Sequence, residues 1–141
     1  MIMLSESLLS SSIKRGAILH SYMFRNIDHG KFFVVVGISE DKVAGFFFIN
    51  SNINKFNERS QTLMNAQLFI RKENYDFLTH DSFICATRFT EIKVSQIVKS
   101  IQEGQTTFVS DLLENDLKEL INSVRSSRLF TTAQKNKYAK V

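Results

Sequence analysis

The sequence has no Trp, no Pro and a single cysteine, Cys85, while its five Gly are scattered along the chain. One thiol cannot form an internal disulfide or a thiolate metal site, and dispersed Gly residues do not form a phosphate-binding loop. No apolar run approaches the about 18 residues of a membrane-spanning helix. Residues 1–12 also lack the basic start and apolar core of a signal peptide. We therefore expect a cytoplasmic protein with no membrane segment.

The chain is modestly basic and rich in Phe. Its 141 residues carry a formal net charge of +4 and include 13 Phe. This charge is compatible with a polyanionic partner, although many other proteins have a similar one. The length suits one domain, which we expect over residues 14–130. An arm or short helix at 1–13 would precede it, and a basic tail with little to bury would follow at 131–141.

Two apolar runs at the centre of the chain predict a β-hairpin. Residues 31–38 and 43–50 are rich in β-branched and aromatic side chains, and each run is short and bounded by turn residues. An antiparallel pairing brings Lys31, which opens the first strand, to the same edge as Asn50, which closes the second. A cation beside an amide and the Ser51 hydroxyl is able to bind an anion. An ordinary polar strand end explains the same residues.

The remaining pattern predicts an α+β protein that is mainly β. Apolar positions at helical spacing predict an amphipathic helix over 111–125, with Ser110 as its N-cap. Strands do not alternate with crossover helices, which excludes a doubly wound parallel sheet. We expect a small SH3-like antiparallel β-barrel with this C-terminal amphipathic helix. Further short strands are predicted at 17–24, 66–71, 81–88, 89–92 and 106–109, and a helical turn at 94–99.

The order and spacing of several segments resemble the MazF/PemK family of bacterial toxins, which are endoribonucleases. The segments that carry the resemblance are 14–18, 30–36, 48–55, 81–92 and 95–126. The resemblance implies cleavage of single-stranded RNA without a metal or other cofactor. It also implies a homodimer that an antitoxin protein holds inactive.

The sequence departs from this family at the residues that perform catalysis. The family's Arg at the start of the second strand and its Thr at the end of the third correspond to Lys31 and Asn50. The proline after that Arg is Phe32 here, and the Gln-x-Arg-Thr stretch is replaced around 88–91. The Lys ammonium is a point charge, whereas the Arg guanidinium is a planar fork of donors. Asn50 lacks the hydroxyl of Thr, and only the neighbouring Ser51 supplies one. The alternative is therefore a catalytically degenerate barrel that binds nucleic acid or a protein without cleavage.

Of the three histidines, His29 is the candidate acid or base, because it immediately precedes Gly30 and Lys31 and imidazole exchanges protons near neutral pH. A solvent-exposed loop histidine is the alternative interpretation. We expect His20 to be a packed strand residue and His80 to be structural. Three scattered His without ligand spacing argue against zinc.

Basic side chains are expected to form a rim that follows an RNA backbone, although an exposed polar face explains each one separately. These residues are Arg25, Lys31, Lys55, Arg59 and Arg88. Phe24 and Phe56 lie near this rim in the sequence and are able to stack on bases, with core packing as the alternative. We expect Cys85 to lie in the core of its strand.

Overall fold

The computed structural model describes residues 5–24, 29–40 and 42–141. Its helices are α1 (Glu6–Ser12), α2 (Lys55–Glu58), α3 (Gln61–Asn65), α4 (Val94–Gln102), α5 (Glu114–Ser126) and α6 (Thr132–Tyr138). Its strands are β1 (Ala17–Ser21), β2 (Lys31–Ser39), β3 (Val43–Asn50), β4 (Gln67–Ile70), β5 (Ser82–Cys85), β6 (Thr90–Lys93) and β7 (Thr106–Asp111). A single 3-10 turn covers Lys72–Asn74.

The seven strands form one antiparallel sheet in the order β4-β5-β3-β2-β1-β7. The β6 strand pairs with β3 beside this path. Two strands therefore share one edge of β3: β5 pairs with Ile49 and Asn50, and β6 pairs with residues 43–46. The turn between β5 and β6 carries the chain from one end of β3 toward the other.

Both faces of the central strands are buried, which explains their continuous apolar sequence. On one face, Val34 and Phe47 pack against Leu120 and Val124 of α5. On the opposite face, Phe33, Val35 and Phe46 pack with Leu9, Val94, Ile97 and Val98 from α1 and α4. Helices thus cover the sheet on both sides.

The prediction of an α+β fold with an antiparallel sheet is confirmed, whereas the closed SH3-like barrel is wrong. Among the described residues, β4 and β7 lie at the two ends of the sheet path and do not pair with each other. A barrel encloses one face of its own sheet. Here large apolar side chains project from both faces of β2 and β3, so helices cover each face and the sheet stays open.

The last long helix begins later than predicted. Ser110 and Asp111 pair with Ile18 and Ala17 as part of β7, so Ser110 is not a helix cap. Leu113 occupies the N-cap position and provides no side-chain hydrogen bond. Sheet pairing has overridden the local capping preference at these positions.

The expectation that residues 131–141 have little to bury is wrong. Tyr138 is 1% exposed and Ala139 is fully buried at the end of α6. Tyr138 lies on the paired Gly37 and Gly45 of β2 and β3. A Cβ at Gly37 would lie 2.3 Å from the Tyr138 carbonyl oxygen, and one at Gly45 would lie 2.7 Å from the Tyr138 ring. Only Gly at both positions lets the segment approach the sheet so closely.

Two arginines hold this C-terminal segment. Arg15 donates to the carbonyl oxygens of Val36 at 2.8 Å, Lys140 at 2.7 Å and Tyr138 at 3.0 Å. Arg125 donates to the Ala139 carbonyl at 3.0 Å. These hydrogen bonds satisfy the backbone carbonyls of residues 138–140, which have no helical partner because α6 ends there.

Within the described residues, no helix has the length and apolar character needed to cross a bilayer.

A chain of buried hydroxyl groups joins β1, β7 and α4. The Ser100 hydroxyl donates to the Ile97 carbonyl at 2.7 Å, so it accepts from Thr106 Oγ1, also at 2.7 Å. Thr106 in turn accepts from the Ser21 hydroxyl at 2.7 Å, and Ser21 accepts from the Met23 N–H at 3.0 Å. Each hydroxyl has only one proton to donate, so these contacts fix the donor and the acceptor of every hydrogen bond in the series.

We expect Thr106→Val to destabilise the protein by about 1–3 kcal/mol, because it leaves the Ser21 hydroxyl without an acceptor and Ser100 without a donor. Urea unfolding followed by circular dichroism measures this change. The matched control is Thr107→Val on the same strand, where the side chain is exposed. A loss no larger than that of the control would contradict the importance of the hydroxyl chain.

Two buried tyrosines donate hydrogen bonds to carboxylates. The Tyr75 hydroxyl donates to Asp116 Oδ2 at 2.5 Å and accepts from the Leu113 N–H at 3.0 Å. The Tyr138 hydroxyl donates to Glu91 Oε2 at 2.5 Å. Burial first, and then the carboxylate partner, raises the pKa of each tyrosine above its ordinary value.

This shift predicts a loss of stability in alkali. Below about pH 10 the phenols are protonated in both states, and their stabilising effect is complete. Above that pH the unfolded tyrosines ionise first, so the free energy of unfolding falls. We expect Tyr75→Phe/Tyr138→Phe to lose stability less steeply than wild type in urea unfolding across alkaline pH. Tyr22→Phe, at a 64% exposed tyrosine, is the control and should follow wild type.

Candidate functional site

The register of β2 and β3 places Lys31 and Asn50 side by side. Phe32 pairs with Ile49, so the next position along the hairpin sets Lys31 opposite Asn50. The Lys31 ammonium donates a hydrogen bond to Asn50 Oδ1. The prediction that these two residues meet at one edge is confirmed.

Gly30 lets the backbone that enters β2 pass close to a histidine. A Cβ at Gly30 would lie 2.2 Å from the His20 ring. The His20 ring packs 4.6 Å from the ring of Phe32 and 5.0 Å from that of Tyr22, measured between ring centres. His20 is therefore a packed strand residue, as expected from its position.

Lys31 is a half-buried cation. Burial lowers the pKa of its ammonium, and the nearby Cys85 thiol opposes this shift in part. The Lys31 nitrogen also lies 5.6 Å from the centre of the Phe48 ring, on the ring face. The positive charge is thus held by an amide oxygen and an aromatic face, neither of which neutralises it.

An open cavity of about 440 Å³ lies at this end of the hairpin. Lys31, Asn50 and Ser51 line it together with two histidines, His29 and His80. The other lining residues are Gly30, Phe32, Ile49, Asn52, Asn54 and Thr79. The cavity therefore collects a cation, two imidazoles, amides and hydroxyls.

Ser51 belongs to this group because β3 ends at Asn50. Strand alternation would otherwise direct Ser51 to the opposite face from Asn50. Ser51 instead lies exposed in a bend and lines the cavity. All four predicted catalytic residues, Lys31, Asn50, Ser51 and His29, are thus in one place.

His80 also lines the cavity, although its position at a turn before a strand predicts only a structural role. It reaches the cavity through long-range pairing, since Phe83 of β5 lies opposite Asn50. His80 is three residues before Phe83 in the chain. No local pattern shows which strand β5 joins, so only the pairing of β5 with β3 could have identified this histidine.

Among the described residues of the predicted basic rim, only Lys31 lines the cavity. Lys55 opens α2 directly after Asn54, a lining residue, and Arg59 follows at the end of the same helix. Arg88 is exposed in the turn between β5 and β6, which leads away toward the other end of β3. Arg25 lies outside the described residues.

The two aromatic residues of the rim differ in their surroundings. Phe56 is 68% exposed, so its ring is accessible for stacking. Phe24 packs against the rings of Phe33, Phe46 and Phe48, at centre-to-centre distances of 5.9, 6.0 and 4.9 Å. Phe24 therefore belongs to the packed interior.

Cys85 is half-buried among polar side chains, so the expectation that it lies in the apolar core is wrong. Its sulfur accepts from Gln67 Nε2 at 3.4 Å and from Asn57 Nδ2 at 3.6 Å, and lies 3.4 Å from Thr87 Oγ1. No cluster of three or more His, Cys, Asp or Glu side chains suited to a metal ion occurs among residues 5–24, 29–40 and 42–141.

Neither the protein-family models nor the curated proteins contain a significant match to this chain.

The lowered pKa of Lys31 predicts that its ammonium loses its proton at a lower pH than an ordinary lysine does. Carbon-13 NMR of lysine Cε labels measures each titration. We expect one resonance to titrate early and to disappear in Lys31→Arg. Lys55→Arg, at an exposed lysine, should remove a different resonance. An early-titrating signal that persists in Lys31→Arg would assign the shift to another residue.

Proposed function

We propose that the protein is a MazF/PemK-like toxin, an endoribonuclease that cleaves single-stranded RNA without a metal ion. One observation carries the proposal: Lys31, Asn50, Ser51, His29 and His80 line the same open cavity. The order of strands and helices from α4 through β7 to α5 also agrees with the segment order on which the family resemblance rests.

Side chains of this cavity suit each role that RNA cleavage requires. A base takes the proton of the 2′-hydroxyl as its oxygen attacks the phosphorus, and an acid protonates the departing 5′-oxygen. His29 and His80 provide two imidazoles for these roles. The products are a 2′,3′-cyclic phosphate and a free 5′-hydroxyl, so water is not consumed in this step.

Lys31 would stabilise the negative charge that develops on the phosphate oxygens. Partial burial strengthens its effect, because fewer water molecules screen the charge. Asn50 holds the ammonium through its side-chain oxygen, which leaves its two N–H donors for a phosphate oxygen. The Ser51 hydroxyl would add an orienting hydrogen bond.

RNA would extend from the cavity toward Lys55 and Arg59, with the exposed Phe56 ring between them as a stacking surface. Arg25 and Arg88 remain proposed backbone contacts. The family resemblance extends the proposal to a cytoplasmic homodimer and to an antitoxin protein that blocks the RNA groove. The cavity's openness supports access for a long chain of either kind.

A second candidate is RNA binding without cleavage. The observation that favours it is the engagement of Lys31, whose ammonium is already bonded to Asn50 and lies against Phe48. A lysine held in this way attracts a phosphate but does not form the two parallel hydrogen bonds of an arginine.

We expect the purified protein to cut a long single-stranded RNA in EDTA into products with cyclic phosphate ends. Lys31→Ala should lower kcat/KM about 100- to 1,000-fold, as loss of a transition-state charge partner does. His29→Asn and His80→Asn should each cost about 100-fold or more. Asn50→Ala should cost less, because Asn50 positions Lys31. The control is Lys72→Ala, an exposed lysine outside the cavity lining.

Intact RNA at high protein concentration would overturn the nuclease proposal. If the protein then still binds RNA, and Lys31→Ala weakens binding more than Lys72→Ala, the second candidate is correct. Equal binding by both variants would place RNA contact away from this cavity.

A further inference from the structure

A second concave site lies at the opposite end of β2 from Lys31. It has a volume of about 860 Å³ and runs between α1 and the end of α6. We call it the basic groove, and its charged lining residues are Lys14, Arg15, Lys137 and Lys140. Gly37 lies on its wall, six residues from Lys31 along β2. At a rise of about 3.3 Å per residue, the two sites are about 20 Å apart.

The lining of the basic groove carries an excess of positive charge. No Asp or Glu occurs among its lining residues. The ion pairs between described residues are Arg71–Glu73, Lys99–Glu103 and Lys118–Glu114, none of which involves a groove cation. Two carboxylates line adjoining cavities: Glu6 lies with Lys42 and Lys93, and Asp111 lies with Lys14. Four cations therefore converge without a carboxylate in the lining.

Arg15 gives the groove a rigid donor. Its three hydrogen bonds go to the carbonyl oxygens of Val36, Tyr138 and Lys140. A guanidinium has five N–H groups, so two remain for a ligand. Carbonyl oxygens orient the guanidinium without cancelling its charge, and a fixed, charged fork suits phosphate oxygens.

The rest of the lining narrows the ligand class. Ser7, Ser10 and Ser11 of α1 also line the groove. The Ser11 hydroxyl donates its proton to the Leu8 carbonyl at 2.9 Å, which leaves the hydroxyls of Ser7 and Ser10 as possible donors to anionic oxygens. No aromatic side chain is present among the lining residues, so the groove offers no surface for stacking a nucleotide base. Its volume falls within the about 300–1,000 Å³ of small-molecule pockets.

We propose that the basic groove binds a compact oligophosphate, a ligand with two or more linked phosphate groups. Several negative charges are needed to engage four cations that surround one cavity, and the hydroxyls and Arg15 supply directed hydrogen bonds. This site shares no residue with the Lys31 cavity and is independent of the proposed nuclease activity.

Titration calorimetry of the full chain with sodium tripolyphosphate at low ionic strength tests the proposal. We expect Lys14→Gln/Lys137→Gln/Lys140→Gln to weaken binding about tenfold or more, because it removes three ligand contacts. The matched control, Lys72→Gln/Lys99→Gln/Lys118→Gln, removes the same charge from exposed lysines elsewhere and should change affinity far less. Arg15 is kept, because it holds the C-terminal segment.

Three further results decide the ligand and the site. Inorganic phosphate should bind more weakly than tripolyphosphate, and equal affinities would overturn the requirement for linked phosphates. The triple groove variant should lose the same factor in tripolyphosphate affinity with or without Lys31→Ala, and a smaller loss in the Lys31→Ala background would overturn the separate site. The third result is the binding of a single-stranded RNA oligonucleotide. If the triple groove variant weakens RNA binding more than it weakens tripolyphosphate binding, the groove belongs to nucleic acid and the proposal is overturned. In the titration of the two triple variants, equal tripolyphosphate affinity of the groove variant and the control variant would also overturn the proposal.

Discussion

The antiparallel pairing of β2 with β3, buried on both faces, is the constraint on which the rest of the structure depends. Phe33, Val35 and Phe46 need a cover on one side of the sheet, while Val34 and Phe47 need one on the other. Removing such side chains from water supplies the dominant favourable free energy of folding. The helices on both faces, and the open sheet between them, follow from this requirement.

Burial of the hairpin also determines where polar chemistry is possible. Charged groups within β2 and β3 would be desolvated, so they occur where these strands end or where the covering layer is incomplete. Lys31 and Asn50 lie at one end of the pair, and Gly37 borders the basic groove toward the other. The same sheet thus separates two cavities that are both lined by cations.

The C-terminal segment shows how small residues make close packing possible. Gly37 and Gly45 face each other across the hairpin, and Tyr138 occupies the space that two side chains would fill. Arg15 then satisfies backbone carbonyls of both β2 and the segment. One cation, which also lines the basic groove, therefore links the C-terminal segment to the sheet.

Local sequence patterns predict the strands, the central hairpin and the meeting of Lys31 with Asn50, because these features depend on residues close together in the chain. Tertiary structure alone decided that the sheet stays open, that Ser110 extends β7 instead of capping α5, and that residues 131–141 are partly buried. It also brought His80 and His29 into the lining of one cavity and gathered Lys14, Arg15, Lys137 and Lys140 around one groove. These outcomes depend on which distant strands and helices pack together, and hydrophobic periodicity does not encode that choice.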